Sequence, residues 1–216
     1  MNEAVGPSVL ALVATYLPGE NLSSLVTALG LQVDSVVVSD DASPCTADPI
    51  LRDCGLVPRV TVIRHAHNVG IARGLNEGLQ AARDAGCRWL LTCDQDSQFP
   101  ASYVAEISTF AESIGSLWED SVRVGAVGAG MVINASGQLK YPITQVASPS
   151  GPLSVTEEVI ASGTLWNVEA LIGVNGFDES LGLDAVDAAA CLRLREAGYR
   201  IVLAPEVRME HRLGES

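Results

Sequence analysis

Lysine is nearly absent from this 216-residue chain. Lys140 is its one lysine, the other twelve basic residues are arginine, and 26 acidic residues bring the net charge to −13 with a pI near 4.5. Such a surface repels polyanions, so nucleic acid and an anionic lipid surface are poor electrostatic partners. Cys45, Cys54, Cys87, Cys93 and Cys191 form no C-x-x-C pair, and their odd number and irregular spacing argue against a disulfide framework and a structural zinc site. A reducing, cytoplasmic compartment is the simplest expectation. No apolar run reaches about 18 residues, so neither a signal peptide nor a transmembrane helix is expected. G-x-S-x-G and P-loop strings are missing as well, which leaves nucleophilic hydrolase chemistry without a carrier. Charged residues are only 18% of the chain and hydrophobic ones 48%, a balance that predicts an ordered domain with a proper core.

What is present is an alternation of short apolar runs and helical stretches. Strands are expected at 9–14, 33–39, 59–64 and 89–93. Helices are expected from Asn21 as a cap to Leu29, weakly to Cys54, from Asn68 to Ala85, and from Pro100 to about Ile114. That order predicts an α/β fold with a parallel sheet covered on both faces. The second half is less regular. Strands are expected at 122–132, 158–161 and 200–204, a loop over 144–154, a short helix capped by Asn167, and a helix from Asp184 to Ala197. The reading is one domain, 1–216, with a nucleotide-type half over about 8–115 and a mixed half over about 116–216.

Ligands of such sheets bind beyond the carboxyl ends of the strands. Three ends carry polar groups that should converge: Thr15-Tyr16, Asp40-Asp41 and Asp94-Gln95-Asp96. Carboxylates two residues apart repel, and a hard divalent cation is the natural solution at a strand end; a solvated acidic turn is the bland alternative. Asp40-Asp41 suits a base N–H or an Asx-turn equally well. The small residues of Asn68-x-Gly70-x-x-x-Gly74-x-Asn76-x-Gly78 lack dinucleotide-fingerprint spacing and fit close packing of helix on sheet better. Asp184 and Asp187 share a face at a helix start, where ordinary first-turn stabilisation also explains them. His65 and His67 read as exposed loop histidines, and Trp89, Trp118 and Trp166 are too scattered to form a stacking platform.

In order along the chain stand V-A-T-Y (13–16), V-V-V-S-D-D-A-S (36–43), N-V-G-I-A-R-G-L-N-E-G (68–78), W-L-L-T-C-D-Q-D-S (89–97), S-G-T-L (162–165), G-F-D-E-S-L-G-L-D-A-V-D (176–187) and C-L-R-L-R-E-A-G-Y (191–199). Together they resemble a family-2 glycosyltransferase of the GT-A fold, from about Val9 to Ser216. D-Q-D-S, S-G-T-L, L-D-A-V-D and the ending H-R-L-G-E (211–215) are similar to the rhamnosyltransferase branch. The resemblance implies inverting transfer of a sugar from a nucleotide sugar, dTDP-L-rhamnose, to a hydroxyl of a glycan or lipid-linked saccharide, assisted by Mn²⁺ or Mg²⁺. It implies Thr15, Tyr16, Asp40, Asp41, Asn68, Gly70 and Asp94 on the nucleotide sugar and Asp96 and His211 on the metal. It implies Asp187 as general base, with Asp184, Ser162 and Gly163 on the acceptor side. A cytoplasmic enzyme, working at the inner face of the membrane through peripheral contact, fits that chemistry. Ala185, Ala189 and Ala190 depart from the bulky or acidic residues of relatives, and Arg73 matches no family position. A nucleotide-sugar-binding module without transfer and a nucleotidyltransferase are the alternatives. The latter should carry a Gly-rich basic loop near its first strand, and Leu12–Pro18 has none.

Overall fold

The computed structural model describes residues 8–117, 122–134, 136–140, 145–147, 154–182 and 185–211. The first four strands are β1 (Val9–Thr15), β2 (Ser35–Asp40), β3 (Val60–Arg64) and β4 (Trp89–Asp94), and all four pair in parallel. Their aliphatic runs suit strands buried on both faces. Alternate side chains of β1 feed two cores. Val9, Ala11 and Val13 join Leu22, Val26 and Leu29 of helix α1 (Asn21–Gly30) and Ile107 of α4 (Tyr103–Leu117). Leu10 and Leu12 join Leu75 and Leu79 of α3 (Ile71–Asp84) on the other face. Helix α2 (Asp48–Gly55) sends Leu51 and Cys54 into the first core.

Close packing explains the glycines of α3. A β-carbon at Gly78 would stand 2.8 Å from Leu12 Cβ, and one at Gly74 would stand 2.9 Å from Ser39 Oγ. Here the packing reading of the Asn68–Gly78 string holds. Two boundaries move, however. Asn21 is the first residue of α1 rather than its cap, and no side chain caps that helix. Helix α3 starts at Ile71, not Asn68, because Gly70 has φ +86°, outside the helical region, and the N–H groups of Val69 and Gly70 are donated to Asp41.

The second half continues the same sheet. Its strands are β5 (Arg123–Ile133), β6 (Leu139–Lys140), β7 (Gln145–Ala147), β8 (Ser154–Thr156), β9 (Thr164–Asn167) and β10 (Tyr199–Glu210). The order is β3-β2-β1-β4-β9-β5-β10-β8-β7, with β6 paired to β5. β9 runs antiparallel between β4 and β5, which makes the sheet mixed. Helices α5 (Val168–Gly173) and α6 (Val186–Glu196) complete the fold, and the Asn167 side chain caps α5 as expected.

Three expectations for this half are corrected. No strand forms over 158–161. The expected loop over 144–154 contains β7. The final strand does not stop at Ala204 but runs to Glu210, shifting register against β5 between Ala204 and Arg208. Pro205 lies in that irregularity, where a missing N–H costs nothing. Gly130 opposite makes room: a β-carbon there would stand 2.5 Å from the Ala204 carbonyl oxygen.

Candidate active site

The carboxyl ends of β1, β2 and β4 meet as expected. Thr15 Oγ1 donates to Gln95 Oε1, the Tyr16 N–H reaches the same oxygen at 3.2 Å, and Gln95 Nε2 returns a bond to the Tyr16 carbonyl at 3.0 Å. Gln95 therefore ties the loop after β1 to the acidic loop after β4. Thr15 is buried, while Tyr16 stays half exposed with its ring available.

Asp40 and Asp41 divide their work. Asp40 is fully buried. Its Oδ2 accepts from the Ser43 N–H at 3.2 Å and from Arg64 Nε at 3.3 Å, while Oδ1 has no hydrogen-bond partner among the described residues. An ionised carboxylate left half satisfied is costly, so a donor arriving at Oδ1 would be strongly favoured. Asp41 points the other way. Its two oxygens accept the N–H groups of Val69 at 2.6 Å and Gly70 at 3.2 Å. It fixes the loop before α3, and Gly70 takes part through its backbone. Asn68 is exposed and makes no hydrogen bond among the described residues.

Beyond β4 the chain turns back, with the Ser97 N–H on the Asp94 carbonyl at 3.2 Å. Gln98 exchanges two backbone bonds with Glu210, and the His211 N–H donates to Ile133 O at 2.9 Å. The long β10 thereby delivers His211 to the acidic loop. His211 Nε2 lies 3.5 Å from Asp94 Oδ2 and Nδ1 lies 3.5 Å from Asp96 Oδ1. One ligand atom from each of Asp94, Asp96 and His211 falls within 4.8 Å of the others. Two hard carboxylates and an imidazole within that span form a donor set suited to a divalent cation such as Mn²⁺ or Mg²⁺. Burial pushes the Asp94 carboxyl above its ordinary range. Asp96 and Asp187 push in the same direction and His211 opposes them. Such crowded negative charge is relieved by a cation. The resemblance put Asp94 on the nucleotide sugar only, whereas here it also lies in the group of side chains that could hold a metal ion.

Asp187 lies in the first turn of α6, and its oxygens accept the N–H groups of Ala161 at 3.0 Å and Ala188 at 2.8 Å. Asp184 and Arg212 lie outside the described residues. Ser162 and Gly163, expected on the acceptor side, are both buried. The Ser162 hydroxyl accepts the Asp94 N–H at 3.0 Å and lies 2.6 Å from Ser97 Oγ. Gly163 has φ +76°, and a β-carbon there would stand 2.2 Å from Met209 Sδ, so it is a packing position. His65 is not a free loop histidine: it is only 12% exposed and its Nε2 lies 3.1 Å from Glu77 Oε2. Trp89 and Trp166 are core residues. Gln95 is expected at this meeting of strand ends, but the sequence does not show its ties to Thr15 and Tyr16, and it singles out neither Ser97 nor Arg64 as a site residue. Their signal is faint, because each is defined by partners distant in the chain.

The mixed sheet, its polar strand ends and the acidic loop beside them define the GT-A fold. The model of Glycosyl transferase family 2 matches residues 11–118, and the chain belongs to that family. It is 28% identical over 219 residues to the dTDP-rhamnosyl transferase RfbF of Shigella flexneri, covering 96% of this chain and 70% of that protein. Among solved structures it is similar to GalNAc-T7 with UDP, GalNAc and Mn²⁺, with a TM-score of 0.73 and 13% identity over 97% of this chain. It is also similar to the mannosyltransferase PcManGT of Pyrobaculum calidifontis in complex with GDP-Man and Mn²⁺, with a TM-score of 0.64 and 20% identity over 98% of this chain. The chain spans 44% and 59% of those two chains. No described helix is long and apolar enough to cross a membrane.

Proposed function

We propose that this chain transfers L-rhamnose from dTDP-L-rhamnose to a hydroxyl of a glycan or lipid-linked saccharide, with inversion at the anomeric carbon. The observation that carries the reading is the meeting of Asp94, Asp96 and His211 within 4.8 Å at the end of the parallel sheet. Asp187 is close enough to raise the proton affinity of Asp94. The rhamnosyl donor is supported by the likeness to RfbF.

Asp94, Asp96 and His211 would hold a divalent metal. When bound, it neutralises the charge that develops on the departing diphosphate. A chain of net charge −13 needs such a bridge to bind an anionic donor. Asp40 offers its unpartnered Oδ1 to a base N–H, with Arg64 and Ser43 holding the other oxygen. Thr15 and Tyr16 would flank the base, and Asp94 would also face the ribose.

Asp187 accepts the proton of the acceptor hydroxyl as that oxygen attacks the anomeric carbon and the nucleoside diphosphate leaves from the opposite face. The two backbone N–H groups that it already accepts aim the carboxylate and leave lone pairs for the substrate. A carboxylate can serve as this base, because the hydroxyl becomes acidic only as attack proceeds. The cytoplasmic side is the proposed place of reaction, in keeping with five free cysteines.

A thermal-shift panel of nucleotide sugars with Mn²⁺ tests the donor. dTDP-L-rhamnose should stabilise the protein more than UDP-glucose or GDP-mannose. A clear preference for GDP-mannose would sink the rhamnosyl reading.

A further inference from the structure

We propose that Thr164 is a positioning residue that aims the Asp187 carboxylate through a single peptide unit. The proposal rests on the reading of Asp187 as the base that takes the acceptor's proton. Asp187 Oδ1 accepts the N–H of Ala188, the next residue of its own helix, and that bond moves with the helix. The bond from the Ala161 N–H to Oδ2, at 3.0 Å, is the one hydrogen bond among the described residues that ties this carboxylate to chain outside α6.

The other end of that peptide unit is held as well. The Ile160 carbonyl shares a plane with the Ala161 N–H and points the opposite way. It accepts the Thr164 hydroxyl at 2.7 Å. A carbonyl only accepts, so the hydrogen belongs to Thr164. Donation to the oxygen polarises the peptide and makes its N–H a stronger donor to Asp187.

Thr164 is 1% exposed, so no solvent competes for its hydroxyl. It stands on β9 opposite Thr92 of β4, two residues before Asp94. The following carbonyl, that of Ala161, accepts the Thr92 hydroxyl, and Thr92 Oγ1 accepts from Trp166 Nε1 at 2.8 Å. Two successive carbonyls of the loop are thus pinned by neighbouring strands, one of which ends in Asp94. Asp187 takes its direction from the sheet that also presents the acidic loop. A buried threonine that bonds the carbonyl four residues back can also simply close a turn. As turn closure, the bond would matter equally whatever stands at position 187. As a positioning bond, it matters only while a carboxylate is there to aim.

Hydrolysis of dTDP-L-rhamnose with Mn²⁺, read as dTDP release, lets water stand in for the acceptor. Thr164→Val removes the hydroxyl at nearly constant shape. It should lower kcat roughly tenfold, the scale of one neutral hydrogen bond, with KM changed by less than about twofold. Thr164→Ser should restore most of the rate. In an Asp187→Asn protein, Thr164→Val should cost less than about twofold more. An unchanged kcat in Thr164→Val overturns the proposal, as does an equal loss in both backgrounds. ¹H–¹⁵N spectra of the metal-free protein report the Ala161 amide without any turnover. Its proton should move upfield in Thr164→Val and stay near the wild-type position in Thr164→Ser. An unmoved amide in Thr164→Val also overturns the proposal. Thr164→Ala is a second variant without the hydroxyl, and loss of the fold in both would make Thr164 structural and overturn it too. An Asp187→Asn protein with wild-type kcat defeats the base reading, and the Ala161 amide still tests the tether. A wild type that releases no dTDP leaves the decision to that amide.

Discussion

Asp187 Oδ2 accepts the backbone N–H of Ala161 at 3.0 Å, and the next residue, Ser162, receives the backbone N–H of Asp94. Two adjacent residues of one loop thus connect the start of α6 to the end of β4. The carboxylate proposed as base is held in fixed relation to the acidic loop proposed to bind the donor. Asp187→Asn places an amide where two N–H groups already point. It should lower kcat by roughly 10²-fold or more while leaving donor affinity near that of wild type. Steady-state kinetics alongside calorimetric donor binding checks this. Asp184→Asn should cost less, and the reverse ranking would exchange the two roles.

The neighbouring carboxylates after β2 should separate in their effects. Asp40→Asn changes the half-satisfied carboxylate and should weaken dTDP binding by ten- to a hundredfold, the equivalent of about 1.5–3 kcal/mol for a hydrogen bond to a charged group. Asp41→Ala removes the clip on Val69 and Gly70. It should lower the melting temperature with a smaller effect on dTDP affinity. Calorimetry on both variants measures the split, and equal losses of affinity would refute it.

The strand ends were legible because a parallel strand buried on both faces is written as an uninterrupted aliphatic run, as in Val9–Ala14. The four residues of β9 give no such run, and β10 hides behind Pro205, which ordinarily ends a strand but here sits in a register shift opposite Gly130. Asp94 and Asp96 announce themselves by spacing. His211 follows Asp96 by more than a hundred residues, and only the resemblance connected them. Gln95, Ser97 and Ser162 make contacts with partners brought close by the sheet, so those contacts become visible only in the fold. The expected strand over 158–161 fails because that stretch is a loop whose Ala161 N–H is committed to Asp187.

Gly163 provides a test of packing beneath the site. Gly163→Ala would drive a methyl group into Met209 Sδ and the Tyr103 hydroxyl, at a backbone angle that L-residues avoid. Overpacking costs roughly 1–3 kcal/mol, and the left-handed backbone adds about 1–2 kcal/mol. Urea unfolding followed by circular dichroism should show a loss of that size, and a stability equal to wild type would show that the loop yields freely.

Buried thiols should make the fold less stable in base. Burial pushes the Cys191 thiol up from an ordinary value of 9.0 to about 12 and also raises Cys54 and Cys93. A group whose proton is held more tightly when folded stabilises the fold fully below its unfolded pKa. That contribution is lost as the pH rises through the folded value. The urea midpoint should therefore fall between about pH 9 and pH 12, and Cys191→Ala should flatten part of the decline. At neutral pH iodoacetamide should modify Cys45, the exposed cysteine, and spare the four buried ones in the native protein. Rapid native alkylation of Cys191 would contradict this account.

The claim at the centre of the account is that Asp94, Asp96 and His211 bind the donor's diphosphate through a divalent metal. Calorimetric titration of dTDP into the protein, with Mn²⁺ and then with EDTA, tests it most directly, using wild type, Asp96→Asn and His211→Ala. Wild type should bind at least tenfold more tightly with Mn²⁺, and both variants should lose most of that gain, with circular dichroism unchanged. Equal affinity in Mn²⁺ and EDTA, or a full Mn²⁺ gain in both variants, would contradict it.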